Sequence, residues 1–154
     1  MSTPILMLIL LTLPWFVTMV ATRRPEWRRW GGVVGVALVF AFTGIGHFVK
    51  TEPMARMMPE AIPWRHEIVL VSGVLELALA VLVLVPGPRR EVGLGIAVLL
   101  VLLLPINVHA AISRIPMGGH AWGPVYLLIR VPLQLILIAW TYVFLVRAHA
   151  RDRA

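Results

Sequence analysis

Five unbroken apolar stretches, residues 4–22, 31–49, 67–86, 92–112 and 124–146, limit what this chain can become more than any other feature. A helix crossing roughly 30 Å of hydrocarbon needs about 20 mainly apolar residues, and only a helix or a closed barrel satisfies its backbone groups there. Each stretch has 19–23 residues, and together they take 102 of the 154. The other 52 serve as loops and ends and hold no separate globular domain. Mean hydropathy is +0.90 and only 14% of residues are charged, where soluble domains carry about a quarter. The chain is expected to be an all-α integral membrane protein.

The charges sort by topology. A net charge of +7 and a pI near 11.5 could suggest nucleic acid, but the arginines bracket apolar spans and share no folded face, so nucleic acid is excluded as a partner. Arg23, Arg24, Arg28, Arg29, Arg89, Arg90, Arg147, Arg151 and Arg153 fall on one side of the alternating spans. Lys50, Arg56, Arg65 and Arg114 fall on the other, nearly balanced by Glu52, Glu60 and Glu67. Lys and Arg accumulate in cytoplasmic loops. This predicts a multi-pass protein of the plasma (cytoplasmic) membrane with its N-terminus outside and its C-terminus in the cytoplasm. The first span starts Met1-Ser2-Thr3-Pro4, and its arginines follow rather than precede it. It reads as an uncleaved span rather than a secretory signal. The absence of cysteine excludes disulfides, thiol catalysis and thiolate metal sites.

Trp27, Trp30, Trp64, Trp122, Tyr126, Trp140 and Tyr142 lie near span ends, as an interfacial aromatic belt requires. Gly31 and Gly35 form a small-xxx-small step for close helix packing, with Thr43, Gly44 and Gly46 further along the same span. Pro14, Pro105 and Pro132 fall inside spans and free carbonyls that the bundle must satisfy. The loop 50–66 is broken by Pro53, Pro59 and Pro63 and is expected to hold a short interfacial helix and a turn. Its Met54, Met57 and Met58, with Met117, His66 and His120, could suit Cu(I). No tight Met-x-Met or His pair supports that, Met commonly fills irregular packing, and no metal site is assigned.

Ionisable groups at membrane depth are costly and face the bundle interior. At about 1.5 Å per residue, Glu76 lies roughly 13 Å below the outer end, Arg130 roughly 9 Å, Gln134 roughly 15 Å and Asn107 roughly 7 Å. His47 and His109 are shallower, and the inner half has nothing comparable. Arg130 and Gln134 share a helix face, as do Ser72 and Glu76. Of Asn107 and His109, two apart, only one can point squarely inward. The expectation is an outer-half polar pocket with Glu76 and Arg130 paired at its floor, lined by Asn107, Gln134 and His47, with Ser72 and His109 secondary. The competing structural reading is a helix-orienting salt bridge, with Asn107 and Gln134 satisfying the carbonyls freed by Pro105 and Pro132.

The runs FAFTGIGHF (40–48), MMPEAIP (57–63), VSGVLELALAVLVLVPGPRR (71–90), LLPINVHAAI (103–112) and LIRVPLQLILIAW (128–140) together resemble DoxX-like membrane proteins. The resemblance covers roughly 31–146. It implies a four-helix bundle at 31–146, preceded by an additional transmembrane helix and basic linker at 1–30 and followed by a basic cytoplasmic tail at 147–154. The family pattern maps onto Gly44, His47 and Phe48; Met58 and Pro59; Gly73 and Glu76; Pro105 and Asn107; and Arg130, Pro132 and Gln134. It further implies association with quinone-linked redox complexes. The expected function is a redox-associated subunit binding a small lipophilic ligand, a quinone being the candidate, and not an enzyme on its own. No haem motif, nucleotide loop or other cofactor signature is evident. A small-solute or proton transporter and a non-catalytic scaffold or assembly factor are the alternatives. Beyond the lipid bilayer, redox-complex subunits and a second copy of the chain are the partners left open.

Overall fold

The computed structural model describes residues 2–147, with no strand among them. Its order is α1 (Ser2–Ala21), α2 (Pro25–Val49), α3 (Thr51–Ala55), α4 (Arg65–Leu82), α5 (Arg89–Ile112), a 3₁₀ segment (His120–Tyr126), α6 (Leu127–Thr141) and a π-helical turn (Tyr142–Arg147). Of the expected basic tail, everything after Arg147 lies outside the described residues.

Four helical stretches are long and apolar enough to cross a membrane: α1, α2, α5 and the run from His120 to Arg147. The helix expected at 67–86 is shorter, 18 residues that include Arg65, Glu67 and Glu76. It ends at Leu82 because Leu84 and Val85 donate to the carbonyls of Val81 and Leu82, each at 3.1 Å. That three-residue spacing tightens the last turn ahead of Pro86, whose ring disfavours α conformation in the residue before it. Pro25 opens α2 at a position where its missing N–H costs nothing.

Glycines set the helix crossings. A Cβ on Gly31 would lie 2.7 Å from the Pro14 carbonyl oxygen, and one on Gly35 would lie 2.9 Å from the Leu11 carbonyl carbon. The backbones of α1 and α2 therefore meet along this small-residue step. Gly44 and Gly73 do the same for α2 and α4, since a Cβ on either would lie 3.2 Å from the other's carbonyl oxygen. Leu11, Val36, Phe40, Val83, Ile96 and Leu145 form the interior where the helices converge. Large apolar side chains such as Val20, Val71 and Leu128 point outward, the distribution a lipid-facing surface requires.

Most of the expected belt residues are exposed, Trp64 most of all, but Tyr126 and Trp140 correct that reading. Tyr126 is buried. Trp140 packs edge-on against Trp15 and donates its indole N–H to the Gly32 carbonyl at 3.1 Å. Trp140 thereby ties α6 to α1 and α2, while Tyr126 packs against His120 of its own segment.

Candidate functional site

A cavity of about 420 Å³ runs from the loops beyond α2 and α5 into the bundle. Its volume falls within the usual range of small-molecule sites, about 300–1,000 Å³. His47, Ser72, Glu76, Asn107, Arg130 and Gln134 all lie in its wall. His109 does not. Its Nδ1 sits 3.0 Å from the Met57 carbonyl and ties the loop 50–66 to α5.

The polar groups are paired differently from the expected arrangement. Among the described residues no ion pair joins Glu76 to Arg130; instead His47 Nε2 lies 3.5 Å from Glu76 Oε1. The Gly44–Gly73 crossing explains this, because it sets His47 of α2 directly beside α4. His47 Nδ1 is 2.9 Å from the Val69 carbonyl and 2.9 Å from Ser72 Oγ, and that hydroxyl donates to the same carbonyl at 2.8 Å. Since a carbonyl only accepts, Nδ1 carries a proton. Nε2 and Oε1 must then hold one further proton between them, on the imidazole or on the carboxyl, for the contact to be attractive. The pair, with the Glu76 carboxyl buried and the imidazole partly so, is a candidate proton-sharing site.

Arg130, one α-helical turn above Gln134, donates from Nε to Asn107 Oδ1 at 3.1 Å, and its Nη1 lies 3.9 Å from Met7 Sδ. The Asn107 amide in turn donates to the Leu103 carbonyl at 2.8 Å, which fixes its oxygen toward the guanidinium. Gln134 donates from Nε2 to the Leu100 carbonyl. Pro105 frees the Val101 carbonyl, four residues earlier, and Pro132 frees that of Leu128. Neither amide serves those carbonyls, so the prolines do not account for Asn107 and Gln134.

Three contributors escaped the sequence reading as parts of this wall. Met7 and Thr3 bring α1 into the cavity, so the additional N-terminal helix is a wall of it. Tyr126 and His120 line it from the 3₁₀ segment, their rings 4.8 Å apart and edge-on. Gly119 permits that packing: its φ of 107° suits glycine, and a Cβ there would lie 2.5 Å from Cε2 of the Tyr126 ring. The Gly118-Gly119-His120 run was the available signal. Five of the seven methionines, Met7, Met54, Met57, Met58 and Met117, also line the cavity. Met58 is buried against Ala55 and Val69, the packing use of the residue. Among the described residues no group of three or more His, Asp or Glu could hold a metal ion.

At the rim, Glu52 bonds to His66 and accepts from Arg56 Nε at 3.0 Å. These two partners, His66 first, hold its carboxyl below the usual carboxylate range. The contact clips α3 to the first turn of α4.

Residues 36–145 match the family model described as a domain of unknown function, DUF8561. No curated protein and no solved structure matches the chain.

Proposed function

Since this chain belongs to the DUF8561 family, whose description carries no activity, we propose a function from the site itself: a five-span membrane protein, DoxX-like in its motifs, that binds a small lipophilic molecule with a polar head. α4 is the fifth span in this reading, its charged first turn at the interface and Glu76 turned inward. In this reading the basic loops face the cytoplasm, with the N-terminus and the cavity toward the outer side of the plasma membrane. A quinone-type headgroup is the ligand class that suits a redox-associated subunit.

The observation that carries the reading is one cavity of about 420 Å³, mostly apolar, on which a proton-holding His47–Glu76 pair and an Arg130–Asn107 donor pair both open. An apolar chamber with a few convergent polar groups is the usual form of a small-molecule site. Arg130 can donate to a carbonyl or hydroxyl oxygen, and the His47–Glu76 pair can exchange a proton with the head. Electrons would have to come from a partner or a bound group.

Mass spectrometry of the full chain purified in mild detergent is the test. A retained lipophilic compound, lost in Arg130→Ala and in Glu76→Gln, is the expected result. Stoichiometric retention of another protein subunit, with no small molecule and no loss in either variant, would favour the scaffold reading. The proton site also favours a second reading, proton-coupled permeation. Against it, beyond Gln134 the interior of the other half holds no buried ionisable group among the described residues, and Thr141 is its one buried polar side chain. A pH-dependent flux in proteoliposomes, abolished by Glu76→Gln, would establish it.

A further inference from the structure

We propose that the cavity takes an anionic head on an apolar chain, a single-chain carboxylate of the fatty-acid class. This rests on the reading above that the cavity holds a lipophilic molecule with a polar head. It gives that head a negative charge and is independent of any redox role.

The charges around the cavity carry the inference. Six carboxylates fall among the described residues, and of these Glu76 alone lines the cavity. Glu26 and Glu91 lie in the first turns of α2 and α5, at the opposite end of the bundle. Glu52 is held by His66 and Arg56, and Glu60 and Glu67 are exposed. Glu76 faces His47 at 3.5 Å. With one proton shared between Nε2 and Oε1 that pair has no net charge, whichever side the proton takes. Arg130 forms no ion pair among the described residues, and its two partners, Asn107 Oδ1 and the Met7 thioether, are neutral. The wall within the membrane thus holds one uncompensated positive charge, and exposed Lys50 at the mouth adds a second. Charges out of water are paired, and those inside membranes find their partners in the bundle interior.

Reach separates the donors from the acceptors. Glu76 Oε2, Gln134 Oε1 and His120 Nε2 have no partner, but they also have essentially no accessible surface. Arg130 Nη2 and the Tyr126 hydroxyl make no hydrogen bond among the described residues either, yet neither is sealed off. Tyr126 and Arg130 stand four residues apart, on one helix face, and both line the cavity. The wall's other donors are turned away: Thr43, Ser72, Asn107 and Gln134 donate to backbone carbonyls, and His120 Nδ1 faces that of Met117. Thr3 adds only a neutral hydroxyl. A carboxylate suits what remains, since its two oxygens match the planar guanidinium fork and can also accept from a phenol. The mostly apolar chamber of about 420 Å³, small-molecule in size, suits one acyl chain.

The experiment is equilibrium binding to the full-length protein in an uncharged detergent, with dodecanoate, dodecanamide and dodecyltrimethylammonium as probes of one chain length. Dodecanoate is expected to bind at least about tenfold tighter than dodecanamide, since hydrogen bonds between charged groups are the stronger ones. That ratio should fall to near one in Arg130→Gln, narrow in Tyr126→Phe, and largely survive Arg130→Lys and Lys50→Gln. Micelle partition is common to parent and variants, so a change in the ratio reads the protein. The ranking of probes on the parent decides the matter even where Arg130→Gln fails to fold. Phosphatidylglycerol, a two-chain source of an anionic head, should compete less well than dodecanoate; the reverse order overturns the single-chain assignment. Equal affinity for the three probes, tighter binding of the cation, or a ratio untouched in Arg130→Gln overturns this inference and leaves the lipophilic-ligand reading standing. Absence of saturable binding by any probe overturns both.

Discussion

Replacing Gly73 by alanine tests the contact on which the site's geometry rests. The new methyl would lie 2.7 Å from His47 Cβ, 3.0 Å from Phe48 Cε2 and 3.2 Å from the Gly44 carbonyl oxygen. Carbon atoms pack best at about 3.5–4.0 Å, so the helices must part by roughly 1 Å. His47 Cβ is bonded directly to the α2 backbone and cannot rotate away. Overpacking of this kind costs about 1–3 kcal/mol. At roughly 2–4 °C per kcal/mol for a chain of this size, the melting temperature should fall by several degrees. Gly44→Ala should cost less, because its nearest neighbour is the Leu77 side chain, 2.9 Å away and free to turn. Gly95→Ala meets nothing within 4 Å and should be neutral or stabilising by about 0.5–1 kcal/mol. Thermal unfolding of the three variants in one detergent, followed by circular dichroism, checks the order. Gly73→Ala melting with Gly95→Ala would refute the close crossing and, with it, the account of how His47 reaches Glu76.

Asn107→Leu removes the oxygen that Arg130 Nε reaches at 3.1 Å and should destabilise the protein by about 1.5–3 kcal/mol; Asn107→Asp keeps the acceptor and should recover most of the loss in the same melts. His109→Ala releases the loop at Met57, so amide hydrogen exchange should quicken across 54–62 while the spans stay protected. Glu52, with its carboxyl held low by His66 and Arg56, contributes a stabilisation that is present above its ordinary value of 4.5 and fades as pH falls through the depressed folded value. Glu52→Gln should therefore be slightly less stable than the parent at pH 7, and the two should converge in strong acid, as denaturant titrations at the two pH values will show.

Helix positions were readable because a long apolar run between charged or proline-rich loops has only one use in a bilayer. That these polar residues gather toward one end of the bundle followed from rise per residue alone. Azimuth did not. Counting along the helices puts Glu76 and Arg130 at similar heights, but which neighbour each side chain meets depends on which helices touch. Gly44 and Gly73 bring α2 against α4, so Glu76 meets His47, while Arg130 of α6 meets Asn107 of α5. The same gap explains Tyr126 and His120. Their positions near a span end suit either an interface or a lining, and the turn at Gly119 that folds them inward is a matter of backbone conformation rather than hydropathy. α1 read as an appendage because its sequence, apolar on all sides, names no partner face; Met7 and Leu11 are nevertheless buried.

The position of α1 also bears on how a molecule would come and go. This helix leans chiefly on α2 through its backbone and meets α6 far more sparsely. A small apolar cleft lined by Pro4, Ile5, Gly119, Trp122, Tyr126 and Ile129 marks the seam. Behind it stands the Met7–Arg130 contact. Tyr126 lines both this cleft and the larger cavity, so under the proposed function the seam is a candidate lateral door for a guest already dissolved in the leaflet. Stapling it shut, by oxidising Ile5→Cys with Ile129→Cys, should slow both uptake and release of such a guest while leaving its equilibrium affinity nearly unchanged.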